Sequence, residues 1–203
     1  MSYWEHQRPV RRERALAITD IAAAAAGLLD DGGLRALTLR SVAGELGVAP
    51  ASLYSRVESV DDLFDLALDH ALGADAELRG ALAGAPVEEL MMALYRHLVR
   101  HPWACQVIAM RAPRGPRYLE LSERMCVLLE GRGVRDPLSL SYTLSNLVIG
   151  SAVTAPVAPR ERAAAIDPVL APTYARLHAA HRETPELAVA AGITALLAAG
   201  SAG

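Results

Sequence analysis

Thr38, Arg40, Ser52, Tyr54, Ser55 and Arg56 place hydroxyl, phenol and guanidinium groups within one stretch, Leu37 to Phe64. Such groups donate hydrogen bonds to phosphate oxygens and to base edges. Ala49, Pro50 and Ala51 stand just before the second cluster. Their small side chains let a backbone come close to the wall of a groove.

The surrounding residues are those needed to hold such groups outward. Thr38 suits a helix N-cap, and Leu39, Val42, Ala43 and Leu46 follow at helical spacing. Gly47 ends that helix, because glycine tolerates the left-handed conformation of a C-cap. Pro50 suits the first turn of a second short helix, where its missing amide is not needed. Leu53 and Val57 then face a core, leaving Ala49, Ala51, Ser52, Ser55 and Arg56 largely outside. Ser59-Val60-Asp61-Asp62 reads as a capping box opening a longer helix. The pattern predicts a helix-turn-helix whose second helix enters the major groove. From composition alone, a helical hairpin within an all-α core fits as well.

The run LTLRSVAGELGVAPASLYSRVESVDDLF resembles the DNA-binding domain of the TetR family of bacterial repressors. The matching residues are Leu37-Thr38-Leu39-Arg40, Val42-Ala43, Leu46-Gly47-Val48, Ser52-Leu53-Tyr54, Val57 and Asp62-Leu63-Phe64. The family usually has a phosphate-contacting lysine before the fourth helix, where this chain has Val60. The segment HPWACQVIAMRAPRGPRYLELSERMCVLLEGRGV is similar, in pattern, to the C-terminal domain of the tetracycline repressor subgroup. In that family this domain binds a small effector and dimerises.

The 203 residues are 52% hydrophobic and only 4% aromatic. Abundant alanine and short β-branched runs predict an all-α fold. A helix-turn-helix domain with its N-terminal arm is expected over residues 1–60, and a helical effector-binding and dimerisation domain over 61–203. All 20 basic residues are arginine, and the net charge is −3, so bulk charge does not draw a polyanion. Charge is instead uneven. Arg8, Arg11, Arg12 and Arg14 lie near the start, whereas residues 61–90 carry eight acids against Arg79. That asymmetry suits DNA contact at one end, with the early arginines either adding contacts or forming a solvated tail.

Residues 1–10 read as unstructured and Arg11 to Leu29 as the first helix. Asp61 to Leu82 reads as the fourth, linking the domains. Further helices are expected at Val87 to His101, Trp103 to Met110, Arg117 to Glu130, Pro137 to Val153, Thr173 to His181 and Pro185 to Ala199. Residues 155–172 are Pro-rich and expected to be irregular and mobile. Apolar runs are broken by Gly or Pro, so no membrane span is expected, and no signal segment is seen. Cys105 and Cys126 lack metal spacing and suit a reduced cytoplasm.

The eighth helix (Pro137 to Val153) and the last (Pro185 to Ala199) are apolar on most sides, which demands burial. The resemblance implies that they form a homodimeric four-helix bundle; burial within one chain is the alternative. An effector pocket is mostly apolar with a few polar groups. Candidates are Met91, Leu94, Tyr95, Leu98, Trp103, Val107, Met110, Arg111, Tyr118, Leu121, Met125, Thr143 and Asn146, with core packing the plainer role for each. His97 and His101, four apart, lack an adjacent acid or cysteine in sequence, so neither a metal nor a cofactor is expected. No histidine falls at Ala74 or Ala76, where the resemblance would place a ligand for drug-bound magnesium. No Ser-His-Asp pattern, phosphate loop or carboxylate pair points to an enzyme.

The resemblance thus implies a dimeric, ligand-responsive repressor of a palindromic operator, released by a small apolar effector and controlling an efflux or antibiotic-related gene. An activator, a receptor for a signalling molecule, or a helical ligand-binding protein without DNA binding are the alternatives. The last draws on Val60 and on the balance of seven arginines and seven acids in the first 60 residues.

Overall fold

The computed structural model describes residues 2–6, 16–182 and 184–200. Among them every regular element is helical. Helix α1 (Ile18–Gly32), α2 (Leu39–Glu45) and a 3-10 helix (Pro50–Ser55) form the N-terminal headpiece with the first half of α3 (Val60–Ala74). Then come α4 (Ala76–Gly84), α5 (Val87–Arg100), α6 (Pro102–Met110), α7 (Pro116–Gly131), α8 (Pro137–Thr154), α9 (Ala158–Ala163), α10 (Pro172–Ala180) and α11 (Pro185–Gly200).

Proline marks the helix starts. Pro102, Pro116, Pro137, Pro172 and Pro185 are each the first residue of a helix, where the fixed φ fits and no amide bond is lost. The expected helix bounds from α5 onward therefore hold to within a residue. Gly47, at φ 64°, closes α2, and the amide of Val48 bonds back to Ala43 at 2.9 Å. This returning bond satisfies a free carbonyl of the last turn.

Buried apolar residues form one continuous core from Ile21 of α1 to Leu197 of α11. Helix α1 packs along α3, and α5 is held between α8, α4 and α11. The approach of α11 to α8 is close. A Cβ at Gly192 would stand 3.1 Å from Leu147, and one at Gly200 would stand 2.6 Å from Leu140.

Five expectations are corrected. Ser2 to His6 is ordered: Tyr3–Glu5 is a 3-10 turn with Tyr3 4% exposed. Helix α1 starts at Ile18 because Ala17 is extended, whereas the arginines of residues 8–14, and Ala15, lie outside the described residues. The expected helix from Asp61 to Leu82 is two helices, since Asp75 leaves the helical conformation and caps α4, accepting from Glu77 N and Leu78 N. Residues 155–172 are not wholly irregular: a 3-10 turn (Ala155–Val157) and α9 continue α8. Because Pro156 and Pro159 sit at first-turn positions, they do not end the run. Pro137–Ala163, 27 residues, is thus long and apolar enough, by length and composition, to cross a membrane, with an 18-residue stretch of mean hydropathy 1.2. Finally, Ser59 makes no side-chain cap. Asp62 instead accepts from Glu58 N at 2.6 Å.

Candidate nucleic-acid interface and its links to the C-terminal domain

The exposed face begins at α2. Thr38 accepts from Ser41 N at 2.9 Å while Thr38 N donates to Ser41 Oγ, also at 2.9 Å, a reciprocal cap that fixes the entry to α2. Thr38 and Arg40 are exposed there. After the Gly47 turn, the second element is a 3-10 helix, tighter than the α-helix expected. Leu53 and Val57, 0% and 1% exposed, pin it to the core. Ala49, Pro50, Ala51, Ser52, Tyr54 and Ser55 are all exposed, Tyr54 at 53%.

Arg56 departs from the outward position expected of it. It is half-buried, and its Nε is buried without a hydrogen-bond partner. Its charge reaches Tyr3, where it opposes the upward push that burial gives the phenol. Val60 is half-buried against the core and offers no donor where the family lysine would be.

Two bridges join the headpiece to the C-terminal domain, one at each end of α6. At the start, Trp103 Nε1 donates to Asp30 Oδ1 at 2.6 Å, and His101 Nδ1 lies 2.6 Å from the same oxygen. Asp30 is in the last turn of α1, where a negative charge opposes the helix dipole, so these partners offset that cost. Just past the end of α6, Arg111 reaches Asp65 (Nε to Oδ1, 3.0 Å) and Asp61 (2.9 Å) on α3. Asp65 is buried, and it also accepts from Tyr3 N at 2.8 Å and from Ser2 Oγ at 3.0 Å. His6 lies 3.2 Å from Asp62, likewise buried. That hydrogen bond, outweighing burial, raises the pKa of His6.

These acids were not among the candidates from sequence. The signal was present: Asp62 and Asp65 stand three apart amid Leu63, Phe64, Leu66 and Leu68, so they needed partners.

The candidate effector residues divide. Met91, Leu94, Tyr95, Leu98, Trp103, Val107, Leu121 and Met125 are buried together and Tyr118 is half-buried. Met110 is 56% exposed, and Thr143 and Asn146 are exposed on α8. Arg111 and Trp103 hold the bridges. Two cavities lie elsewhere. One of about 530 Å³ opens between α1, α3 and α4, beside Asp30, His70 and His101. The other, about 480 Å³, lies between α4, α5 and α11. His97 Nδ1 is 2.8 Å from Asp75, and burial, only partly offset by that bond, lowers the pKa of the imidazole.

Together the fold and the exposed face define a helix-turn-helix protein carrying a helical second domain. Residues 84–189 match the family model described as tetracyclin repressor-like, C-terminal domain, and the chain belongs to the TetR family. It is 36% identical over 156 residues to an HTH-type transcriptional regulator of Saccharopolyspora erythraea, covering 73% of this chain and 65% of that protein. It is 35% identical over 158 residues to the HTH-type transcriptional repressor DrrR1 of Streptomyces coeruleorubidus, covering 72% and 56%. The chain thus spans less than two thirds of the length of both relatives. Apo ActR from Streptomyces coelicolor superposes with a TM-score of 0.76 at 26% identity, covering 95% of this chain and 98% of that one. ActR in complex with actinorhodin gives 0.73 at 26% identity, covering 93% and 99%.

Proposed function

We propose that the chain is a cytoplasmic, non-enzymatic transcriptional repressor that binds a palindromic operator as a homodimer and leaves it when a small apolar effector binds. The observation that carries this is the 3-10 helix Pro50–Ser55. Its buried residue, Leu53, is apolar, and its exposed ones are small, hydroxylic or phenolic. Thr38, Arg40, Ala49, Pro50, Ala51, Ser52, Tyr54, Ser55 and Arg56 are the proposed DNA contacts. The repressor name of one relative and the bound actinorhodin of ActR support the reading.

Dimerisation through α8 and α11 is supported by the apolar surface both helices leave uncovered. Leu138, Tyr142 and Val153 recur at helical spacing on α8 and are 54%, 64% and 56% exposed; Leu187 of α11 is 59% exposed. Only 22% of an apolar 18-residue stretch within Pro137–Ala163 is buried within one chain. A symmetric bundle would cover this surface and set two recognition elements about 34 Å apart, one turn of DNA.

Release follows from the bridges at α6. A ligand that favours a displaced α6 alters the pull of Arg111 on α3 and of Trp103 on α1. The population then shifts to dimers whose recognition elements are mis-spaced.

Gel-shift titration with the upstream intergenic DNA tests the reading. A specific complex that weakens steeply with salt is expected. Absence of any specific complex at low salt would leave the alternative of a ligand-binding protein without DNA contact, which Val60 favours.

A further inference from the structure

The cavity of about 480 Å³ between α4, α5 and α11 has an apolar floor and an acidic rim. Ala81, Met92, Ala93 and Ile193 make the floor. Its size suits a small molecule, and Met92 adapts its shape to what it touches. Glu77, Glu88, Glu89 and Arg96 make the rim.

The charges on that rim do not cancel. Arg96 is already taken: its Nη1 donates to Glu77 at 2.8 Å and its Nε to Glu186 of α11 at 2.6 Å. Glu77 is held on its other oxygen by Arg100, at 3.2 Å. Glu88 spends one oxygen on Arg132 at 2.7 Å, and its Oε2 is buried with no hydrogen-bond partner. Glu89 has no partner among the described residues. The cavity lining therefore holds three carboxylates against one guanidinium, an apolar bed beside net negative charge, and it disfavours anions.

We propose that this cavity binds a small apolar cation, its body on Ala81, Met92, Ala93 and Ile193 and its charge beside Glu88 and Glu89. As a binding site it stands alone; as the effector site it rests on the regulator reading. Glu77 makes the second role physical. It lines the cavity and, through Arg100, is tied to Asp75, the residue that caps α4 where α3 ends.

Calorimetric titration of the full chain with tetraphenylphosphonium and tetraphenylborate, ions of one shape and opposite charge, tests this. The phosphonium should bind and the borate should not. Glu88→Gln with Glu89→Gln should weaken the phosphonium about tenfold or more, the scale of a lost charged contact. Glu123→Gln with Glu130→Gln, the same charge change on α7, should leave it unaltered. Ala81→Phe should abolish binding; an unchanged melting temperature verifies its fold. Equal binding of both ions, or equal weakening by the two charge pairs, overturns the proposal. A gel shift on the same chain keeps the two readings apart. Loss of DNA binding with the phosphonium site intact sinks only the regulator, whereas DNA binding without a selective cation site sinks only this proposal.

Discussion

Arg111 Nε lies 3.0 Å from Asp65 Oδ1, so the residue that ends α6 is tied to the buried acid of α3 that also holds Ser2 and Tyr3. Arg111 was expected inside an effector pocket; it stands instead between the end of α6 and α3 of the N-terminal headpiece. Arg111→Ala should leave Asp65 buried with fewer partners and cost about 1–3 kcal/mol of stability. Urea unfolding measures that loss. On the repressor reading, operator affinity should persist while its loss on adding effector is blunted. A variant as stable and as ligand-responsive as the parent would remove Arg111 from the link.

Tyr54 and Arg56 should fail differently on DNA. Tyr54→Phe removes the exposed hydroxyl proposed to meet phosphate and should weaken all sequences alike. Arg56→Ala should cost about 1–3 kcal/mol and relax preference at one base position, provided that the half-buried guanidinium swings out on binding. Gel shifts against a panel of single-base operator variants distinguish them. A uniform loss for Arg56→Ala would reassign it to the backbone.

Leu53→Ala should cost about 2–5 kcal/mol, the range for truncating a fully buried leucine. Because Leu53 and Val57 pin the exposed 3-10 helix inward, thermal melting should fall and operator binding should fall with it. Melting unchanged within error would contradict the packing.

Local signals were the legible part. Thr38, Gly47 and the helix-starting prolines act on the backbone within a few residues of themselves, so they mark elements wherever the chain goes. Long-range pairing was not legible. Asp65 meets Arg111 and Ser2 only after folding, and nothing in the spacing of Arg111 distinguishes a partner on α3 from a ligand. Likewise, Glu88 and Glu89 share a cavity with Ile193 although it lies far from them in sequence. The single helix expected from Asp61 to Leu82 failed because Asp75, unremarkable as a helix residue, becomes a cap once Arg100 and His97 hold its carboxylate.

Acid should attack that same junction. Burial pushes Asp75 up, but bonds from Arg100, Leu78 N and His97 outweigh it and hold its pKa at about 2, below the ordinary 3.8. A depressed carboxylate stabilises the fold above its unfolded value and loses that contribution as pH falls through its folded one. Stability should therefore drop between pH 3.8 and about 2. Asp75→Asn should be less stable at neutral pH and lack this part of the acid slope in urea melts across pH. A parallel slope in the variant would assign it to other acids.

His6 has the opposite sign. Its bond to Asp62 raises its pKa above the ordinary 6.5, so the charged form fastens the N-terminal turn to α3. That contribution is fully present below 6.5 and is lost as pH rises through the raised folded value. Trp4, half-buried beside Tyr3 at a ring distance of 5.1 Å, reports the attachment. In a Trp103→Phe background, Trp4 emission should shift to the red as the solution turns from mildly acidic to mildly alkaline. Asp62→Asn should flatten that transition, since a neutral partner no longer favours the imidazolium. Release of the turn would also free Arg56 from beside Tyr3, making the recognition face itself pH-sensitive. A Trp4 emission that is constant through this range, or unaltered by Asp62→Asn, would show that His6 does not hold the turn.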